Sequence, residues 1–362
     1  MRLSETVSRL QQMQKGAAAF GPMSSDEPSR LSELAGIKDN PGNLRAFHYV
    51  PEGLQEGAPL VVVFHGCTQD AAGYDQGSGW SRLADKHGFA LLFPEQQRAN
   101  NPNLCFNWFQ VGDTQRGMGE AASIRSMIEG MRAQHDIDPK RVFVTGLSAG
   151  GAMASAMLAT YPEVFAAGAI IAGIAYGCAS GVAEAFDCMA GRASADAADL
   201  AVSVRRASPH KGPWPRVSVW QGSADYTVVP SNAEAIALQW SHLHGLAPQP
   251  DRTEMVEGYP LRVWLGSDGE ELIEQYVITG MAHGTPLMPG TDEGESGEAR
   301  AHMLDANISS TDRIAAFFGI APVPAPRAHA ERLAPPAGPA GNAGSGVQEV
   351  IENALKAAGL MR

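Results

Sequence analysis

Residues 141–156 read RVFVTGLSAGGAMASA. The run from Arg141 to Thr145 has the length and β-branched composition of a buried strand, and Gly151 to Thr160 has the small, helix-favouring residues of a helix packed closely on a sheet. Between them Gly146-Leu147-Ser148-Ala149-Gly150 turns the chain sharply. Glycines leave space for the backbone to fold back on itself, and a serine between them projects its hydroxyl beyond the sheet. With 40 glycines in 362 residues a bare G-x-S-x-G is a weak signal, but this one occurs once and in a strand-turn-helix context. Ser148 is the candidate nucleophile; a capping serine in a structural turn is the alternative.

A serine hydroxyl needs a histidine as general base and a carboxylate to hold that histidine's tautomer. When a serine elbow sits on a strand-helix unit, the partners follow in the order acid, then histidine, in loops after later strands. Arg216 to Trp220 reads as such a strand, and the loop from Gln221 to Thr227 after it nominates Asp225. Glu271 to Ile278 is the next strong strand, and Gly280-Met281-Ala282-His283-Gly284 nominates His283 as the base. The competing histidines suit other roles: His242 and His244 lie on a predicted helix over 231–244, His302 in a polar helix, His210 in a Pro/Gly-rich loop, and His48 and His135 before strands. Asp251 and Asp268 sit in Pro-Asp-Arg and Ser-Asp-Gly turns, where aspartate serves the turn itself.

Acyl transfer also requires donors for an oxyanion, commonly the amide after the nucleophile and one from the loop after an early strand. Leu60 to Phe64 is that strand and His65-Gly66-Cys67-Thr68-Gln69 that loop, so the amides of Cys67 and Ala149 are the expected oxyanion hole, with His65 as scaffold. Further strands are predicted over 45–50, 89–93 and 167–172, separated by helical patterns at 80–87 and 120–135. Strands alternating with helices predict the α/β class, a mostly parallel central sheet with helices on both faces. Ligands of such sheets lie beyond the carboxyl ends of the strands, where every nominated residue falls. Residues 253–278 break the alternation and predict a final hairpin and strand that deliver His283, while 176–215 predicts a lid or helical excursion.

HGCTQ at 65–69, PEQQRANNPNLCFNWF at 94–109, GLSAGG at 146–151, GSADYTV at 222–228 and GMAHGTP at 280–286 occur in this order, and over about 43–320 the chain resembles the poly(3-hydroxybutyrate) depolymerase esterase family, which includes feruloyl and acetylxylan esterases. The resemblance implies an α/β-hydrolase fold, a triad of Ser148, Asp225 and His283, and Cys67 at the oxyanion hole. The oxyanion segment precedes the serine motif, as in type I catalytic domains of the family. Secreted relatives add a polymer-binding domain after the catalytic one; none is read here, so amorphous polymer, oligomers or small esters are the expected substrates. Feruloyl or acetylxylan-type carbohydrate esters are the alternative, and a non-catalytic granule-associated protein is a more distant one. The aromatic stretch around Trp108, together with Tyr176, is nominated for substrate binding. No metal or organic cofactor is implied.

A formal net charge of −12 and the lack of a basic stripe argue against a nucleic-acid partner. No apolar run reaches the roughly 18 residues that span a bilayer. The N-terminus, MRLSETVSRLQQMQKGAAAF, lacks the apolar core of a secretory signal, which predicts a cytoplasmic protein, with association with a polymer granule and the extracellular location of secreted relatives as alternatives. Four cysteines allow two disulfides in an oxidising compartment; Cys67 with Cys105 and Cys178 with Cys188 are the pairings to test first, against reduced thiols in the cytoplasm. Their spacing does not resemble a zinc site.

The organisation read from the sequence is a polar extension at 1–42 with amphipathic spacing of Leu3, Val7, Leu10 and Met13, a catalytic domain at 43–320, a Pro/Ala/Gly-rich linker at 321–346 and a short amphipathic helix at 347–362. Such a tethered helix is expected to dock on its own domain or on a twin subunit of a homo-oligomer, with a polymer granule surface as the other partner.

Overall fold

The computed structural model describes residues 29–193 and 195–325. The N-terminal amphipathic pattern, most of the linker and the C-terminal helix lie outside the described residues. The strands are β1 (Ser32–Glu33), β2 (Arg45–Tyr49), β3 (Ala58–Phe64), β4 (Ala90–Glu95), β5 (Ile137–Leu147), β6 (Ala167–Ile171), β7 (Arg216–Gly222), β8 (Arg252–Val256), β9 (Tyr259–Leu265), β10 (Glu271–Ile278), β11 (Thr285–Leu287) and β12 (Met303–Asp305). The helices are α1 (Ala71–Ser78), α2 (Trp80–His87), α3 (Val111–Thr114), α4 (Gly119–Gln134), α5 (Ala149–Thr160), α6 (Val182–Met189), α7 (Ala197–Ala207), α8 (Ser231–His244) and α9 (Ser310–Phe317), with a 3-10 turn at Pro162–Val164.

Ten strands form one sheet in the order β1-β2-β4-β3-β5-β6-β7-β10-β9-β8. The centre, from β4 through β3, β5, β6 and β7 to β10, is parallel, and both margins are antiparallel. Successive side chains of a strand point to opposite faces. In β3, Leu60, Val62 and Phe64 accordingly join a core with α4, α5, α7 and α8, while Val61 and Val63 join a second core with α1, α2 and α9. Burial on both faces is why the strand reads as an unbroken apolar run. This is the α/β-hydrolase architecture, with a mostly parallel central sheet covered on both sides.

Three expectations need correction. Ser32 and Glu33, within the predicted polar extension, pair antiparallel with Phe47 and His48 and widen the sheet. Strand β5 begins at Ile137, four residues before the predicted start, because a register shift lets Asp138-Pro139-Lys140-Arg141 bulge between the pairs Ala58–Ile137 and Leu60–Val142. A proline has no amide to give to a ladder and is accommodated at such a bulge. His302, expected in a helix, lies in a turn before β12 with φ 61°. The hairpin β8–β9 leads into β10 as expected, and the 176–215 stretch is the helical excursion that carries α6 and α7. Among the described residues no helix is long and apolar enough to cross a membrane.

Candidate active site

Strand β5 ends at Leu147 and α5 begins at Ala149, leaving Ser148 alone at the turn with φ 59° and ψ −118°. A non-glycine residue is rarely held there, and such strain persists only where the surroundings fix it. The Ser148 amide donates to the Ile171 carbonyl at 2.9 Å and the Ala152 amide to the Ser148 carbonyl at 2.8 Å. The flanking glycines contribute space: a Cβ on Gly146 would stand 2.5 Å from the Gly150 carbonyl, and one on Gly150 would stand 2.5 Å from the His65 oxygen. The unusual φ belongs to the serine, and the absent side chains let the elbow lie against the end of β3.

Ser148 Oγ lies 2.9 Å from His283 Nε2, and His283 Nδ1 lies 2.7 Å from Asp225 Oδ2. The three residues nominated from sequence, 135 and 58 positions apart, thus meet in one line. The Asp225 side chain is fully buried, and its capacity as an acceptor is used in full. Oδ1 receives the amides of Thr227 and Val228 at 2.8 and 2.9 Å, and Oδ2 receives Gln221 Nε2 at 3.0 Å besides the imidazole. Since a carboxylate only accepts, Nδ1 carries the imidazole proton and Nε2 faces the serine as an acceptor. The loops bearing Asp225 and His283 are joined by their backbones: Ser223 N donates to Ile278 O, Ala224 N to Met281 O and Gly280 N to Ser223 Oγ, at 2.8–3.0 Å. They approach so closely at Gly222 that a Cβ there would sit 2.3 Å from the Met281 oxygen.

The loop after β3 lies against the elbow, with the His65 oxygen beside Gly150 and Leu147 beside Gly66. Cys67 is joined to Cys105 by a disulfide, and the Thr68 amide donates to the Asn103 carbonyl at 2.7 Å. Among the described residues neither the Cys67 nor the Ala149 amide is paired with a protein acceptor, as the expected oxyanion donors require. His65 is buried; its Nδ1 donates to the Gly66 carbonyl at 2.7 Å and its Nε2 accepts the Gln96 amide at 3.1 Å. Burial pushes this imidazole down to about 4, so it is a neutral scaffold. Gln96 Nε2 in turn donates to Glu120 Oε1 and to the Cys105 carbonyl, and Glu120 Oε2 accepts the Asn107 amide at 2.9 Å. Desolvation pushes the Glu120 carboxyl up to about 8.

Trp108 packs edge-to-face with Phe109 and lies against an apolar cluster of Ala152, Ile174, Cys188 and Val228. The second disulfide, Cys178–Cys188, fastens α6 beside this cluster. The cluster Trp108 packs against includes Ala152, four residues after Ser148 on α5, and Val228 of the Asp225 loop. Tyr176 is packed instead against the core shared with α8, where its carbonyl accepts Gln239 Nε2 at 2.8 Å. Four of the rival histidines lie in other contacts: His210 is hydrogen-bonded to the Pro213 carbonyl, His244 to the Pro215 carbonyl, and the His48 ring packs against that of His135. Asp268 accepts the Glu270 amide within its turn, and Asp251 accepts the Leu265 amide at the end of β9.

Sequence reasoning missed four residues of this neighbourhood. Gln96 lies within a quoted motif, yet neither it nor Gln221 carries a signal of its role. Glu120 reads as a solvated helix residue, and His302, whose ring lies 5.9 Å from that of His283, stood in a predicted helix.

A serine–imidazole–carboxylate line at the carboxyl ends of the strands of an α/β-hydrolase sheet is the arrangement of a serine hydrolase, and the relatives place this one among the carboxylic-ester hydrolases. The model of the family described as esterase PHB depolymerase matches residues 44–253, and the chain belongs to that family. It is 47% identical over 301 residues to poly(3-hydroxyalkanoate) depolymerase C of Paucimonas lemoignei, covering 82% of this chain and 72% of that one. It is 31% identical to an acetylxylan esterase of Coprinopsis cinerea, over 74% of this chain and 73% of the relative. Among solved structures, the acetyl xylan esterase from Aspergillus awamori superposes with a TM-score of 0.68 at 26% identity, covering 80% of this chain and 99% of that one.

Proposed function

We propose that the protein hydrolyses short-chain polyhydroxyalkanoate esters, poly(3-hydroxybutyrate) or its oligomers, through a Ser148–His283–Asp225 triad and an acyl-enzyme. The observation that carries this reading is the pair of hydrogen bonds that joins the three side chains, together with 47% identity to a poly(3-hydroxyalkanoate) depolymerase. His283 Nε2 takes the Ser148 proton as Oγ attacks the ester carbonyl. The amides of Cys67 and Ala149 receive the developing oxyanion, donors of a kind worth about 3 kcal/mol each at the transition state. Asp225 holds the imidazolium, whose Nε2 proton passes to the leaving alkoxide as the ester C–O bond breaks. Water, deprotonated by the same nitrogen, then attacks the acyl-enzyme; the acyl C–Oγ bond breaks, the Nε2 proton returns to Ser148 Oγ and the hydroxy acid leaves.

Acetylated xylan is the second reading, favoured by the 31% identity to an acetylxylan esterase and the structural likeness to another. The two disulfides favour an oxidising, extracellular compartment over the cytoplasmic one as the place of action. Release of soluble 3-hydroxybutyrate from amorphous granules by wild type and by Ser148→Ala, with feruloyl and acetylated xylan esters in parallel, tests the proposal. Polymer turnover that disappears in Ser148→Ala is the expected result. Activity confined to the carbohydrate esters transfers the function to the second reading, and turnover that survives Ser148→Ala overturns the triad.

A further inference from the structure

The loop that presents His283 is held on two sides. Its Asp225 side is fastened through Met281 and Gly280, as described above. On its other side stands His302. The His302 carbonyl accepts the Thr285 amide at 2.8 Å, and His302 Nδ1 lies 3.2 Å from the His283 carbonyl. A carbonyl only accepts, so Nδ1 carries the proton of this bond. The two segments run so close that a Cβ on Gly284 would stand 2.8 Å from the His302 oxygen. The imidazole of His302 also meets that of His283 edge-on, with ring centroids 5.9 Å apart and planes at 74°. That is an edge-to-face packing distance for aromatic rings.

The turn bearing His302 is itself anchored. Arg300 and Met303 exchange backbone hydrogen bonds at 3.0 Å, and the Arg300 guanidinium reaches Gln76 Oε1 at 2.9 Å and Glu298 Oε2 at 2.6 Å. Met303 is buried and pairs with Thr285 in the small β11–β12 sheet. His302 adopts φ 61°, a left-handed conformation that glycine adopts without cost and that histidine, like asparagine, adopts more readily than most residues. A residue of uncommon backbone conformation is thus fixed where its backbone and its ring both meet the histidine loop.

We propose that His302 is a positioning residue for the base: its Nδ1–H grips the His283 carbonyl and its ring supports the His283 imidazole, keeping Nε2 aimed at Ser148 while the Asp225 bond holds the opposite nitrogen. The inference rests on His283 being the base of the proposed triad. Small misplacements of a reacting group cost rate more than binding.

The test is a series at one position, His302→Ala, His302→Asn and His302→Gly, assayed on a soluble p-nitrophenyl butyrate ester with the active fraction counted by titration with an organophosphate. His302→Ala is expected to lower kcat about 3- to 10-fold with KM within about twofold. His302→Asn, which keeps a donor and suits the backbone, is expected to recover most of that loss, and His302→Gly to remain as slow as alanine. Full activity in the alanine variant, or recovery with glycine as complete as with asparagine, overturns the proposal, the latter by assigning the effect to backbone strain alone. If His302→Ala does not fold, the asparagine-to-glycine comparison decides by itself. Failure of the triad reading is seen separately, as esterase activity that survives Ser148→Ala.

Discussion

The two segments proposed to flank Ser148, the oxyanion wall after β3 and the base wall carrying His283, are held by different means. The oxyanion wall is tied by a disulfide between Cys67 and Cys105 and backed by a buried polar chain, His65–Gln96–Glu120–Asn107. The base wall contains no covalent link among its described residues; His283 is held by hydrogen bonds from the Asp225 loop and by the exposed His302. The difference follows the tasks. Oxyanion donors act by being fixed in advance of the charge they stabilise, so every degree of freedom removed from them contributes to the rate. The imidazole must accept a proton, hold it and release it to a different oxygen, which hydrogen bonds of adjustable length permit.

Breaking the base wall at its buried end should have the largest effect. In Asp225→Asn, the Thr227 and Val228 amides still demand an oxygen, so the amide nitrogen would turn toward His283 Nδ1 and Gln221 Nε2, both donors. The imidazole would then take the opposite tautomer, with a proton on Nε2 facing Ser148 and no lone pair to act as base. A loss of about 10⁴-fold in kcat with little change in KM is expected from this inversion. Steady-state kinetics on a soluble ester measures it, and a loss below about tenfold would mean that Asp225 does not set the tautomer.

On the oxyanion wall, removing the covalent tie by the double substitution Cys67→Ser and Cys105→Ser leaves the Thr68–Asn103 and Gln96–Glu120 hydrogen bonds in place. The Cys67 amide is then loosened without being lost, and a decrease of about tenfold in kcat is expected, less than the full cost of a missing donor. Opening a bridge of 38 residues' separation should also lower stability by up to about 4 kcal/mol on chain-entropy grounds. Urea unfolding followed beside kcat separates the two effects. If stability falls while kcat stays at the wild-type value, the disulfide serves the fold and not the donor.

This asymmetry also explains which parts of the site were legible in the sequence. Ser148, Asp225 and His283 sit in turns whose neighbours announce them: glycines around the elbow, Gly-Ser-Ala before the acid and Gly-Met-Ala before the base. The strands were legible because burial on both faces writes a continuous apolar run, and their ends failed where Pro139 forces a bulge. Glu120 and His302 were not legible, since nothing local marks them. Glu120 begins a helix as acidic residues often do, and its burial arises only when α4 packs beneath the Cys105–Asn107 segment. His302 stands in a polar stretch, Gly297-Glu298-Ala299-Arg300-Ala301, of helical composition, and only pairing with the β11 segment makes it a turn.

The smallest effect concerns the polar chain behind the oxyanion wall, and it sharpens the comparison through pH. Burial raises the Glu120 carboxyl to about 8, above its ordinary value near 4.5 in an unfolded chain. Between these two values the folded state binds more protons than the unfolded state, so stability is greatest below about 4.5 and falls as pH rises toward 8, where the carboxyl ionises in its buried site. Glu274, buried beside Ser218 and also raised to about 8, adds a slope of the same sign. Glu120→Gln replaces the titrating group by a neutral one of the same shape. Urea midpoints measured at intervals from pH 5 to 9 should therefore decline less steeply in Glu120→Gln than in wild type, while Glu274→Gln removes the other share of the slope and leaves kcat unchanged. Parallel profiles for wild type and Glu120→Gln would show that Glu120 is already ionised throughout this range. The donors from Gln96 and Asn107 would then hold the Glu120 charge against the cost of burial.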